Sequence, residues 1–200
     1  MLEIKPINSK QILEILKIHK TSFVGFFLTD LGDEFLIEYY NSVINNADGL
    51  IFGAFVDNDL VGFCSATKLS KGFNKALIKE NLIKFSIIAF KLGLFKPSAL
   101  IRLYKNLTKK NPKINDNGEY AEILSLAVCT SYQNRGIGKK LIENLEQELA
   151  KLNCTKLSLT TDVYNNKRTI NFYSNLGYLV LYEFTSWPKR RMYRMIKIIK

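Results

Sequence analysis

Two glycines one residue apart, in Gln133-Asn-Arg-Gly-Ile-Gly138 and followed by Lys139, mark the stretch whose residue types and spacing could do chemistry. Glycine lets the backbone curl so that several N–H groups face one point. A helix opening there adds unpaired N–H groups and the positive end of its dipole, which favour an anion and most often a phosphate. Arg135 and Lys139 bring positive charge to the same place. The stretch therefore predicts a bound phosphate or pyrophosphate. Two familiar phosphate loops do not fit it. The dinucleotide fingerprint G-x-G-x-x-G needs a third glycine, and the P-loop needs four residues between its glycines and then Gly-Lys-Ser/Thr.

Several elements must position this stretch. Glu119–Val128 reads as a strand, ending in the apolar run Leu124–Val128, and Cys129–Asn134 as a polar turn. Ile137, Leu141, Ile142, Leu145, Leu149 and Leu152 recur at helical spacing and are read as core. Lys156–Thr161 is the next strand, parallel to the first through a helical crossover. Asn166–Leu176 is a helix stopped by Gly177.

Within these elements, Gln133, Gly136 and Gly138 make the pattern Q-x-x-G-x-G, while Asn166, Thr169, Phe172, Tyr173 and Gly177-Tyr178 follow N-x-x-A-x-x-F-Y-x-x-x-G-[FY]. Both resemble the motifs of the GNAT acetyltransferase superfamily, and they stand in that family's order, one helix and one strand apart. Thr169 departs from it, standing where alanine is usual. The resemblance covers 119–180 firmly and 2–70 loosely through element order.

The resemblance implies a single domain over 1–200 with an acetyl-CoA-binding core at 119–180. The implied fold is α/β (α+β), a central mixed, mostly antiparallel sheet with flanking helices. Acetyl-CoA is then the co-substrate. Gln133, Asn134, Arg135, Gly136, Ile137, Gly138 and Lys139 would hold its pyrophosphate. Leu126, Ala127 and Val128 would line the pantetheine arm, with main-chain groups of Leu126 and Val128 reaching the arm and the acetyl carbonyl. Asn166 would also touch the coenzyme. Tyr173 would be the general acid beside the leaving sulfur. A thiol at ~8.5 and a phenol at ~10 are mismatched by only ~1.5 units, so position decides.

Glu122 is the candidate general base. Its apolar strand, Ala121-Glu-Ile-Leu, would favour the neutral carboxyl and suit proton abstraction near neutrality. Its place six residues before Val128 resembles that of the catalytic glutamate of histone-type family members. Glu119, a water-mediated route, and a structural Glu122 paired with a lysine are the rivals. Cys129 has no histidine nearby to activate it and is read as a structural thiol.

The expected function is direct acetyl transfer to a primary amine, with a small molecule such as an amino sugar as acceptor. The alternatives are a protein N-terminus or lysine, and a non-catalytic acyl-CoA-binding module. Three cysteines without metal spacing imply reduced thiols and a cytoplasmic setting. With one histidine, His19, no metal is expected. Met1-Leu-Glu-Ile-Lys does not read as a signal peptide, and no stretch reaches the ~18 apolar residues of a membrane span.

The charge is local. Residues 71–113 carry eleven Lys and Arg against one acid, Glu80, a net +10 beside +11 for the whole chain. This insertion has no counterpart in the minimal family fold. It reads as a short turn at 73–77 and two helices, one before Pro97 and one after it. Packing on the sheet, a lid on the acceptor site, and contact with a membrane surface or other acidic partner are its readings. No nucleic-acid module appears, so nucleic acid is not expected.

Elsewhere, a first strand ends at Pro6 and a helix capped by Asn8 or Ser9 presents Ile12, Leu13, Ile15, Leu16 and Ile18. His19 is expected at its surface end. An apolar stretch at 23–28 reads as a loop, which the family resemblance implies would face the acceptor. A second helix is capped by Thr29 or Asp30. A hairpin turns at Asp57–Asp59, and another, containing Trp187-Pro188, closes the chain.

Overall fold

The computed structural model describes residues 1–98, 101, 105 and 116–199. Strand β1 (Leu2–Pro6) ends where proline removes a ladder donor. Asn8 caps the next turn: its Oδ1 accepts from the Lys10 N–H at 2.9 Å, and its own N–H donates to Gln11 Oε1 at 3.2 Å. Helix α1 (Ile12–Ser22) follows and buries Ile12, Ile15, Leu16 and Ile18, while Leu13, expected on that side, is exposed. A short helix α2 (Phe27–Asp30) separates it from α3 (Asp33–Asn45). Helix α3 starts later than Thr29 or Asp30 would place it. Gly32, at φ 93°, is its N-cap, and Asp33 and Glu34 complement its dipole.

Strands β2 (Gly49–Val56) and β3 (Asp59–Thr67) form the expected hairpin, with Asp57 and Asn58 both at positive φ. Helices α4 (Phe73–Glu80) and α5 (Leu82–Phe95) come next. The expected turn at 73–77 is thus a helix, and of the helix expected after Pro97 the described residues Ser98, Ile101 and Lys105 are helical while the rest lies outside the described residues. The chain continues with β4 (Ala121–Val128), α6 (Ile137–Lys151), β5 (Lys156–Asp162), α7 (Lys167–Asn175), β6 (Leu179–Ser186) and β7 (Arg190–Ile198).

The sheet runs β1-β2-β3-β4-β5-β7-β6, and every neighbouring pair is antiparallel except β4–β5. That parallel pair is joined by α6, as a crossover requires. One core lies between the sheet and α1, α3, α4 and α5, with Phe63 and Ile51 facing it. The other lies under α6 and α7, with Val61, Cys64, Leu157 and Leu159 facing it.

Helices α4 and α5 of the insertion pack on α3. Phe85 of α5 sits 5.6 Å from the ring of Phe35. Lys84 and Lys91 pair with Glu38 and Glu34 of α3 at 3.0 and 2.8 Å. Phe73, Leu77, Phe85, Ile88 and Leu92 join the same core.

Candidate functional site

Strands β4 and β5 pair only at Ala121–Leu157, Glu122–Ser158 and Ile123–Leu159. Beyond that point each keeps its outer partner: Val128 still pairs with Gly62, and Asp162 with Met192. The two strands therefore splay into a wedge. A β-bulge marks the break. Ser65 faces Ser125 and Ala66 faces Ile123, so Leu124 is an extra residue in β4. A bulge bends its strand and re-aims the residues after it. Ile123 and Leu126, three residues apart, accordingly pack against the same core.

The bulge fixes which main-chain groups face the wedge. The Cys129 N–H donates to Val61 O at 2.8 Å, toward β3. Alternate residues of an antiparallel strand point the same way, so Ala127 also faces β3, and the N–H and C=O of Leu126 and Val128 face the gap. Gln133 Nε2 donates to Val128 O at 3.0 Å from that open side.

Below the wedge, Gly136 is the N-cap of α6 at φ 77°, and Asn134 sits at φ 62°. These left-handed positions curl the loop over the helix start. A cavity of about 490 Å³ opens there. Leu126, Ala127, Val128, Gln133, Asn134 and Gly136–Lys139 line it, joined by Arg168, Thr169, Phe172 and Tyr173 of α7. Arg135 does not line it; its guanidinium lies 5.2 Å from the Tyr132 ring. Lys139 pairs with Glu143 at 3.6 Å on the exposed helix face. Arg168, which donates to Asn134 Oδ1, is the cation that sequence reasoning missed. Its signal was a basic pair, Lys167-Arg168, in the variable positions of the second motif.

A second cleft of about 700 Å³ shares Leu126, Ala127, Val128, Gln133, Thr169 and Tyr173 with the first, so the two are continuous through the wedge. Tyr173 is buried at their junction, and burial, reinforced by the Cys64 thiol, pushes its phenol well up. Phe23, Phe26 and Phe27, in the loop and short helix after α1, line the larger cleft opposite β5 and the β6–β7 hairpin. Asn166 lies in that cleft. Its amide donates to Thr161 Oγ1 at 2.6 Å and to Asp162 O at 3.1 Å, tying the end of β5 to the start of α7.

Glu122 also faces the larger cleft, but its surroundings are not the apolar ones its strand predicts. Arg194 of β7 donates to one carboxylate oxygen and Ser70 to the other. The side chains of Arg194 and Glu122 are 14 and 16 % exposed, so this is a partly buried ion pair, made with β7 and not with a lysine of the insertion. Asp162 is held similarly by Arg190, whose guanidinium stacks 4.4 Å from the Phe26 ring.

His19 is not at the surface. It is buried in the wall of the larger cleft, Nδ1 2.7 Å from Tyr40 Oη, and Tyr40 donates on to Ser125 Oγ at 3.2 Å. Burial lowers its pKa to about 4, so the ring is neutral near pH 7. Burial raises the Cys129 thiol, which disfavours the nucleophilic thiolate.

Residues 96–178 match a family model described as "Acetyltransferase (GNAT) family". The match takes in the end of the insertion, which the motif comparison left without a counterpart. Among solved structures, the ribosomal-protein-S18-alanine N-acetyltransferase from Escherichia coli aligns over all of this chain and 95 % of its own, at 15 % identity and TM-score 0.65. Arabidopsis thaliana NAA60 in complex with acetyl-CoA covers 100 and 99 % of the two chains, at 18 % identity and TM-score 0.64. The PaiA N-acetyltransferase from Thermoplasma acidophilum, in complex with coenzyme A, covers 99 % of each, at 18 % identity and TM-score 0.60. At these identities the likeness is one of fold. No curated protein matches the chain.

Proposed function

We propose that this chain, a member of the GNAT acetyltransferase superfamily, moves the acetyl group of acetyl-CoA to the primary amine of a small acceptor such as an amino sugar. One observation carries the reading: the β4–β5 pairing stops at Ile123–Leu159, directly beside the Gly136–Lys139 cradle, so an anion site and a slot of open main chain form one continuous cleft.

Acetyl-CoA supplies an activated thioester. The N–H groups at the start of α6, with Arg168 and Lys139 beside them, suit its diphosphate. Main-chain groups of Leu126 and Val128 pair with the extended arm as an added strand would, and a donor there polarises the acetyl carbonyl as negative charge develops. The amine nitrogen bonds to the carbonyl carbon, the C–S bond breaks, and the ammonium loses a proton. Tyr173 donates a hydrogen bond to the leaving sulfur. The burial that keeps its phenol protonated also makes it a weaker acid than free tyrosine, so it stabilises the thiolate more by sharing its proton than by surrendering it. Glu122 is the carboxylate toward which the amine proton passes. Arg194 and Ser70 fix its position. Phe23, Phe26 and Phe27 form the acceptor's apolar wall.

A peptide N-terminus is the second reading, supported by the fold likeness to the S18-alanine N-acetyltransferase. Thiol release from acetyl-CoA, measured against a panel of amino sugars, polyamines and N-terminal peptides, separates the two. Binding of acetyl-CoA without thiol release for any amine would instead indicate a non-catalytic acyl-CoA-binding module. Titration calorimetry that detects neither acetyl-CoA nor coenzyme A binding would overturn the proposal.

A further inference from the structure

Helix α5 is apolar on two opposite sides. Phe85, Ile88 and Leu92 are buried in the core against α3. Ile83, Ile87, Phe90 and Leu94 are 54–77 % exposed. Their spacing of four, three and four residues sets them in one line along the helix, with the buried residues on the far side. Four large apolar side chains in a continuous stripe differ from the scattered exposed leucine that any surface carries. The packing of α5 on α3 does not need them.

The charge around the stripe indicates what meets it. Lys84 and Lys91 run along one flank and stay more than half exposed although they pair with α3. Lys75 and Lys79 of the neighbouring α4 are exposed as well. The insertion carries nearly all of the chain's net charge of +11. A second copy would set +11 against +11, which opposes face-to-face pairing. An anionic lipid surface offers both complements: negative headgroups for the lysines and an acyl boundary for the stripe. Among the described residues no helix is long and apolar enough to cross a membrane, so such a helix would lie in the interface plane.

We propose that α5 docks this protein on an anionic bilayer, with Ile83, Ile87, Phe90 and Leu94 entering the headgroup–acyl boundary and Lys75, Lys79, Lys84 and Lys91 meeting the headgroups. This is independent of the acyl-transfer reading, because none of these residues lines the wedge. The test is co-sedimentation of the full chain with vesicles of phosphatidylcholine alone and of phosphatidylcholine with phosphatidylglycerol. Binding to the mixed vesicles is expected, weakening as salt rises. The double variant Ile83→Ser/Phe90→Ser should lose at least about tenfold in vesicle affinity, with its circular dichroism and melting curve unchanged because both positions are solvent-facing. Leu13→Ser, which removes an exposed leucine from α1, should bind as wild type. Three results would each overturn the proposal: no binding to anionic vesicles at low salt, a double variant that binds them as tightly as wild type, or a wild-type dimer that the double variant dissolves into monomers.

Discussion

Adding one methyl group at Gly136 and, separately, at Gly138 distinguishes backbone strain from blockage of the cradle. Gly136 sits at φ 77°, and a Cβ built there meets nothing within 4 Å. Its cost is therefore conformational: an L-residue in the left-handed region pays about 1–2 kcal/mol. At roughly 2–4 °C per kcal/mol for a domain of this size, Gly136→Ala should melt roughly 2–8 °C lower. Gly138 lies inside α6, where alanine gains about 0.5–1 kcal/mol over glycine. Its added Cβ would stand 3.4 Å from Phe172 Cζ and 4.0 Å from Val128 Cγ2, in the slot between β4 and α7. Gly138→Ala should melt at or slightly above the wild-type temperature, because the Phe172 ring edge can give by the small amount needed. Both variants should nevertheless bind acetyl-CoA more weakly, since each methyl displaces the diphosphate from a main-chain donor. One charge-assisted hydrogen bond is worth about 1.5–3 kcal/mol, roughly 10- to 150-fold in Kd. Differential scanning calorimetry and isothermal titration read the two quantities separately. A Gly138→Ala protein that melts normally and binds acetyl-CoA with wild-type affinity would refute the placement of the diphosphate. A Gly136→Ala protein with an unchanged melt would refute the strain argument.

Tyr173→Phe should lower kcat about 100-fold with little change in the KM for acetyl-CoA, because it removes a donor used as the sulfur departs; stopped-time thiol-release kinetics would read this, and an unaltered kcat would remove Tyr173 from the mechanism. Arg194→Met should cost about 1–3 kcal/mol in urea unfolding, since Glu122 loses its cation but keeps Ser70, and pairing it with Glu122→Leu should recover much of the loss. For His19, the folded pKa of about 4 lies below the ordinary 6.5, so between these values the unfolded chain binds a proton that the folded chain does not. Its contribution is complete above pH 6.5 and is lost as pH falls, at about 1.4 kcal/mol per pH unit toward pH 4. Urea titrations from pH 7 down to about 5 should show that slope in wild type and a flatter one in His19→Gln, which keeps a partner for Tyr40; equal slopes would assign the titration elsewhere.

The sequence carried those features that local pattern encodes. The turn from β4 into α6, the crossover to β5 and the stop at Gly177 depend on neighbours in the chain, and glycine and apolar periodicity display them. The bulge at Leu124 was invisible because no residue type specifies it; it shows only when Ser125 and Ile123 are seen to pair with the adjacent residues Ser65 and Ala66 of β3. The partner of Glu122 was equally hidden, since Arg194 lies 72 residues away on a strand whose register the sequence alone does not fix. His19 was misplaced because a polar residue near a helix end usually faces water, and its partner Tyr40, which bonds on to Ser125, lies 21 residues away. The insertion was legible as helical and basic. Its seat on α3 depends on Phe35 and on two glutamates that share no motif with it.

The two cores lie on opposite faces of one sheet, and the helices that clad them come from separate stretches of the chain. Residues 12–95 furnish one layer and 137–175 the other. The sheet is therefore a partition between them, so a cavity opened among the helices of one layer, as by Phe35→Ala, should leave the packing under α6 and α7 largely as it is.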